Sequence, residues 1–195
     1  KTIANFCFGH KNTSIIFYKE IQMINREYFD SVKDNNLIVF KNYIDNGYDI
    51  TAANKLGQTA LHLVMMHCDS EFFSFIIDRL LSINKLDANV RDKFGNTPLH
   101  YVVNINNTVN MKVIAGFQYV YTSRTADLTT RKNIIQQLLK YGVNINAQDK
   151  FGHTVLLDAA KYVESNEFIQ YLIALGDDTS ICDNDGKDYL SIGNS

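Results

Sequence analysis

One phrase is written three times in this chain. DKFGNTPLH at 92–100 returns as DKFGHTVLL at 149–157 and is preceded by NKLGQTALH at 54–62. Self-similarity of this kind constrains the fold more than composition can. Each copy is one small unit that cannot hide its apolar side alone and must bury it against the next. The turns Asn54–Gly57, Asp92–Gly95, Asp149–Gly152 and Asp183–Gly186 begin 38, 57 and 34 residues apart. Each glycine ends a tight turn where the backbone asks for positive φ. Thr59, Thr97 and Thr154 follow, placed to cap a helix by accepting a backbone N–H. Pro98 stands at a first helical position, where its missing donor costs nothing.

A second helix recurs downstream of each turn. Its apolar pairs are Val39-Phe40 with Tyr43-Ile44, Phe72-Phe73 with Ile76-Ile77, Ile134-Ile135 with Leu138-Leu139, and Phe168-Ile169 with Leu172-Ile173. Positions i, i+1, i+4 and i+5 form one broad stripe on a helix. Gly47, Gly142 and Gly176 stand just past three of these segments, as left-handed helix ends require. In the remaining copy Leu80-Leu81 take the place of the glycine. That predicts a longer second helix and a longer loop through Asn84 to Asp87.

Turn, cap, helix pair and return loop, in this order, resemble the ankyrin repeat. DKFGNTPLHYVV at 92–103 and LLKYGVNINAQD at 138–149 carry the resemblance, which extends over roughly residues 28–192. It implies an all-α fold, an ankyrin-repeat solenoid of stacked helix pairs with β-turn fingers, with about four repeats plus a partial fifth. The expected single domain divides into an N-terminal helix and capping repeat (1–53), a repeat at 54–91, a repeat at 92–148, a repeat at 149–182 and a partial C-terminal repeat at 183–195. The resemblance also implies that His62 and His100 hydrogen-bond the backbone and brace the turn; Leu157 replaces them in the next copy.

Several departures from the pattern carry expectations of their own. Ile24 stands where Gly57 stands one repeat later, so the first repeat lacks a finger glycine. Ser14 to Met23 reads as an additional helix. The repeat at 92–148 exceeds the 33-residue unit by about 24 residues, an insertion expected at about 105–129, between the two helices and on the rim opposite the fingers. Ile114, Phe117, Tyr119 and Tyr121 make it apolar for a solvated loop. Two readings stay open for it: a satellite cluster tucked back on the stack, or a partner-binding flap. The final copy stops after one turn of its first helix, so a continuing chain or a partner is expected to cover it.

Composition narrows function rather than fold. The chain is 46% hydrophobic and 21% charged, with a net charge of −2, an ordinary globular balance. It lacks the basic excess that a general nucleic-acid or membrane surface needs. No run of apolar residues is long enough to span a bilayer, and KTIANFCFGH at the N-terminus lacks the layout of a secretory signal. Cys7, Cys68 and Cys182 are odd in number and far apart, which points to a reduced, cytoplasmic setting, or the host cytosol or nucleus if the protein is an effector. There is no GxGxxG, P-loop or HExxH. His10, His67 and His153 lack a metal-ligand spacing. Asp177-Asp178 and Asp183–Gly186 fail as a calcium loop, because Ile181 falls where the first acidic ligand belongs. The chain therefore reads as a non-enzyme that calls for no cofactor and no metal.

What the resemblance implies for function is the binding of another protein. Partners of ankyrin proteins dock on the finger tips and the concave face of the first helices. Carried residue by residue, those positions are Lys55, Leu56, Gln58, Met66 and His67, then Lys93, Phe94, Asn96, Asn104 and Ile105, then Lys150, Phe151, His153, Lys161 and Tyr162. Leu56, Phe94 and Phe151 would form one edge, each beside a lysine, as apolar interface anchors rimmed by charge do. The plainer alternative is that these side chains only stack on neighbouring fingers. Two roles fit the reading: a binding module, similar to inhibitor-of-NF-κB-like proteins and to the ankyrin effectors of viruses and intracellular bacteria, or a regulatory segment of a larger enzyme, channel or effector.

Overall fold

The computed structural model describes residues 23–66, 69–103, 127–161 and 165–193. Helical residues 23–33 (α1) pair with α2 (Leu37–Asp45), and α3 (Ala60–Val64) with α4 (Ser70–Ser82). The next pairs are α5 (His100–Val103) with α6 (Leu128–Lys140) and α7 (Val155–Lys161) with α8 (Asn166–Ala174), and α9 (Tyr189–Gly193) opens a further unit. No strand occurs among the described residues. The all-α architecture expected from the repeat is the one observed.

The two helices of a pair differ because their sequences differ. Every residue of α3 and α5 is buried, as is all of α7 except Lys161. Helices that are apolar or satisfied all round belong inside a stack. The second helices are amphipathic instead: α4 buries Phe72, Phe73, Ile76, Ile77 and Leu80 and turns the rest outward. Each begins on a short polar side chain that accepts the N–H three residues on. These bonds are Val39 N to Asn36 Oδ1, Phe72 N to Asp69 Oδ1, Thr130 N to Asp127 Oδ1 and Phe168 N to Ser165 Oγ, at 2.8–3.3 Å. Such caps each stabilise a helix by about 1 kcal/mol.

The second helices end alike, which corrects one expectation. Gly47, Gly142 and Gly176 have φ of 88°, 76° and 98°, and Asn84 joins them at 54°. The N–H of the following residue then reaches back to close the helix: Tyr48 to Tyr43 O, Lys85 to Leu80 O, Val143 to Leu138 O, Asp177 to Leu172 O. So Asn84, not Leu80-Leu81, stands in the glycine position, and Ile76-Ile77 are the counterparts of Ile134-Ile135. Both α4 and α6 have 13 residues, against 9 in α2 and α8. The excess in the 54–91 copy is one helical turn plus a single residue, Leu86, in the return loop. Since Asp127 caps α6 and the helix starts at Leu128, residues 127–129 belong to the helix and not to the insertion. Residues 105–126, with the aromatic residues of the insertion, and most of the extra N-terminal helix fall outside the described residues. Ile24, aligned with the finger glycine, lies inside α1, so a helix occupies that place in the first repeat.

Buried side chains run from one pair to the next as a continuous row. Tyr28 stacks on Tyr48 (ring centroids 4.1 Å) and meets Phe40 at 5.1 Å, and Phe40 meets Phe72 at 5.0 Å. Ile76, Ile134, Leu138, Phe168 and Leu172 carry the row onward. Each such side chain stabilises the stack by about 1.5–3 kcal/mol. Arg131 is buried among them; its guanidinium lies 4.1 Å from the centre of the Phe168 ring and donates to Val102 O.

Candidate functional site: the finger edge

Each finger is built on the side chain that starts it. Oδ1 of Asn54, Asp92, Asp149 and Asp183 accepts the N–H groups two and four residues on, at 2.8–3.1 Å. The main chain closes the same loops, as in Asp92 N to Asn96 O and Asp149 N to His153 O. Asp and Asn are suited to this because a short acceptor can satisfy the turn's own donors.

Neighbouring fingers are then joined main chain to main chain. Lys93 N donates to Leu56 O and Lys150 N to Phe94 O, both at 2.9 Å, and Asn184 N donates to Phe151 O at 3.0 Å. This approach leaves no room for a side chain at the turn. A Cβ on Gly57 would stand 2.8 Å from Lys93 N, and one on Gly152 2.7 Å from Asn184 N. The last finger has no neighbour among the described residues, and a Cβ on Gly186 would meet nothing within 4 Å.

The two framework histidines act across the joints, as the resemblance implied. His62 Nδ1 accepts Thr59 N at 3.1 Å, while Nε2 lies 3.2 Å from Asn96 O. His100 repeats this with Thr97 N and His153 O, both at 3.1 Å. Since Nδ1 accepts, the proton sits on Nε2 and points at the carbonyl of the next finger. Burial holds His62 below the usual histidine range and so keeps its ring neutral. Where Leu157 removes the ring, Thr154 Oγ1 caps Leu157 N at 3.3 Å. The joint there is made by His153, with Nδ1 3.1 Å from Asp158 Oδ1 and Nε2 3.7 Å from Asp183 Oδ2.

The candidate contact residues divide into three groups. Lys55, Lys93, Lys150 and Lys161 are exposed, Phe151 is 54% exposed, and Leu56, Phe94 and Asn96 are half-buried. Gln58, Met66 and His153 are interior, and they are withdrawn from the contact surface. Gln58 is 5% exposed, its amide donating to Tyr101 Oη at 2.7 Å and accepting from Asn54. Met66 lies in the core and His153 between two carboxylates. His67, Asn104, Ile105 and Tyr162 lie outside the described residues. Sequence reasoning missed Arg91 and Gln148. Arg91 Nη1 donates to Gly95 O and Gln148 O, and Gln148 Nε2 to Gly152 O and Cys182 O. Their shared place, one residue before each finger, was the available signal. Among the described residues, no carboxylate lies within ion-pair distance of Lys55, Lys93 or Lys150.

A family profile described as ankyrin repeats matches residues 29–115 in three copies. Residues 29–115 are ankyrin repeats. It is 30% identical over 114 residues to a Dictyostelium discoideum protein named for serine/threonine kinase activity, covering 58% of this chain and 11% of that one. It is 26% identical over 145 residues to neurogenic locus notch homolog protein 1 of Xenopus laevis, covering 66% and 5%. A fowlpox virus (strain NVSL) protein named for its ankyrin repeats is 25% identical over 170 residues, covering 82% of this chain and 86% of the viral one. The chain thus spans only a small part of the first two. Ankyrin repeats are protein–protein interaction modules, and no helix among the described residues is long and apolar enough to cross a membrane.

Proposed function

We propose that this chain binds another protein along its finger edge and performs no chemistry of its own. The observation that supports the reading most is Phe151, a large ring left in solvent at a finger tip beside Lys150. It continues a row with Leu56 and Phe94, and main-chain bonds hold that row in register. Exposed aromatics beside charge are where binding energy concentrates. The viral relative that matches along most of its length supports a host-directed role, and the scattered cysteines support a reduced compartment, cytoplasmic or in a host cytosol or nucleus.

Capture from native or host lysate, with the parent chain and Phe94→Ala/Phe151→Ala compared side by side, tests the reading. The captured partner is expected to bind the double variant about tenfold or more weakly, while the variant's melting stays close to the parent's. An unchanged set of captured proteins with a folded variant overturns it. A second reading, a regulatory segment of a larger enzyme, channel or effector, is favoured by how little of the kinase-named and notch relatives this chain spans. Sequencing the whole reading frame distinguishes the two.

A further inference from the structure

We propose that the occupant of the finger edge is an acidic, extended polypeptide segment, with carboxylates against Lys55, Lys93 and Lys150 and an apolar side chain against Phe151. The inference rests on the finger-edge reading and adds the chemistry of the partner. Three successive fingers place a lysine at one register position, and in two of them its N–H makes the bond to the preceding finger. The ammonium groups therefore recur with the spacing of the stack, along a line rather than around a pocket.

The line is basic although the chain as a whole carries a net charge of −2. The carboxylates that start the fingers turn inward. Asp92 is buried and accepts from Phe94 N, Asn96 N, Asn96 Nδ2 and the Tyr101 hydroxyl. On the second helices, by contrast, Lys41 and Lys132 are matched by Glu71 and Glu167. The finger lysines have no such partner among the described residues, so their charge is free to attract an outside anion. The row also has an end. The fourth finger carries Asn184-Asp185 where the others carry Lys-Leu or Lys-Phe, and Asp185 is exposed. A carboxylate there turns an acidic ligand back and bounds the site at Phe151.

The alternation of cation and apolar side chain selects a peptide over a nucleic acid. A polynucleotide would need a longer basic track to release its counterions. An extended peptide can present acidic and apolar side chains along one line, and a linear array of tips favours it over a folded domain.

A random peptide display library panned on the whole chain supplies the test. Enriched sequences are expected to be acidic, with at least one large apolar residue. As free peptides they are expected to bind Lys55→Gln/Lys93→Gln/Lys150→Gln about three- to a hundredfold more weakly than the parent, and to weaken in the parent as salt rises. Enrichment of neutral or basic peptides, or of none, overturns the proposal. So does an acidic peptide that holds the triple variant as tightly as the parent, or a polynucleotide that displaces the peptides at lower concentration. Unchanged melting of the triple variant excludes misfolding as the cause of a loss. If Phe151→Ala weakens the peptides and the lysine variant does not, the finger edge stands and the acidic occupant falls; if neither changes binding, both fall.

Discussion

At a finger tip, the cost of one methyl group depends on what stands opposite. Gly152 and Gly186 have nearly the same backbone, with φ of 82° and 77°, but only Gly152 faces a neighbour at contact distance. Gly186→Ala is expected to lose about 1–2 kcal/mol from the left-handed backbone alone. Gly152→Ala is expected to lose a further ~1–3 kcal/mol, because Asn184 must move away. Urea unfolding of both variants measures the difference; equal losses would mean that close approach is not what demands glycine. Positions of this sort were legible in the sequence, since a tight turn declares itself by its residues. Gln58 and His153 were not. A register position says where a side chain starts but not which way it turns. Gln58 turns inward to Tyr101, 43 residues away, a partner that no local pattern reveals.

The ends of the second helices set the next scale. Tyr48, Lys85, Val143 and Asp177 occupy one equivalent place, and Val143 is buried there as an apolar residue should be. Asp177 is 5% exposed, and neither carboxylate oxygen has a hydrogen-bond partner among the described residues. Burial first, and Asp178 second, push its carboxyl up to about 7. The folded chain therefore keeps a proton that the unfolded chain has already released above its ordinary value of 3.8. This group's contribution is full below that value and is lost as pH rises through about 7. His62 acts oppositely: its neutral ring supports the fold above 6.5, the unfolded value, and that support fades as acid is added. Asp177→Val is accordingly expected to stabilise the chain by on the order of 2–4 kcal/mol at pH 8, and by much less at pH 5. Melting curves at the two values check it; an equal gain at both would remove the ionisation argument. The register of α4 was misread for a reason that also belongs to this scale. A stripe of pairs looks the same after a shift of one helical turn, so Phe72-Phe73 matched Ile134-Ile135 as well as Ile76-Ile77 did. The caps at Asp69 and Asp127 and the left-handed residue at Asn84 fix the true register.

Across the whole molecule, each pair leans only on its neighbours, so stability varies along the row. None of the residues of α9 is buried, whereas α4 buries Phe72, Phe73, Ile76, Ile77 and Leu80 and α6 buries Ile134, Ile135 and Leu138 on either side of the central joint. Amide exchange followed by mass spectrometry is expected to find α9 open first and α4 and α6 last. Slower exchange in α9 than in α4 would contradict a stack stabilised from its middle. The linear architecture was readable from the repeated phrase because burial forces such units to pile up. The contents of the finger edge were only half readable, since the lysines and rings stood in plain register while their accessibility is decided by side chains from other repeats.

Each joint between fingers carries one main-chain bond and a histidine behind it that reaches the next finger, while the helices behind are locked by large buried side chains. The tips are thus set at fixed intervals along a rigid spine. Affinity on such a surface accumulates from several shallow grips, and losing one of them loosens the hold without abolishing it.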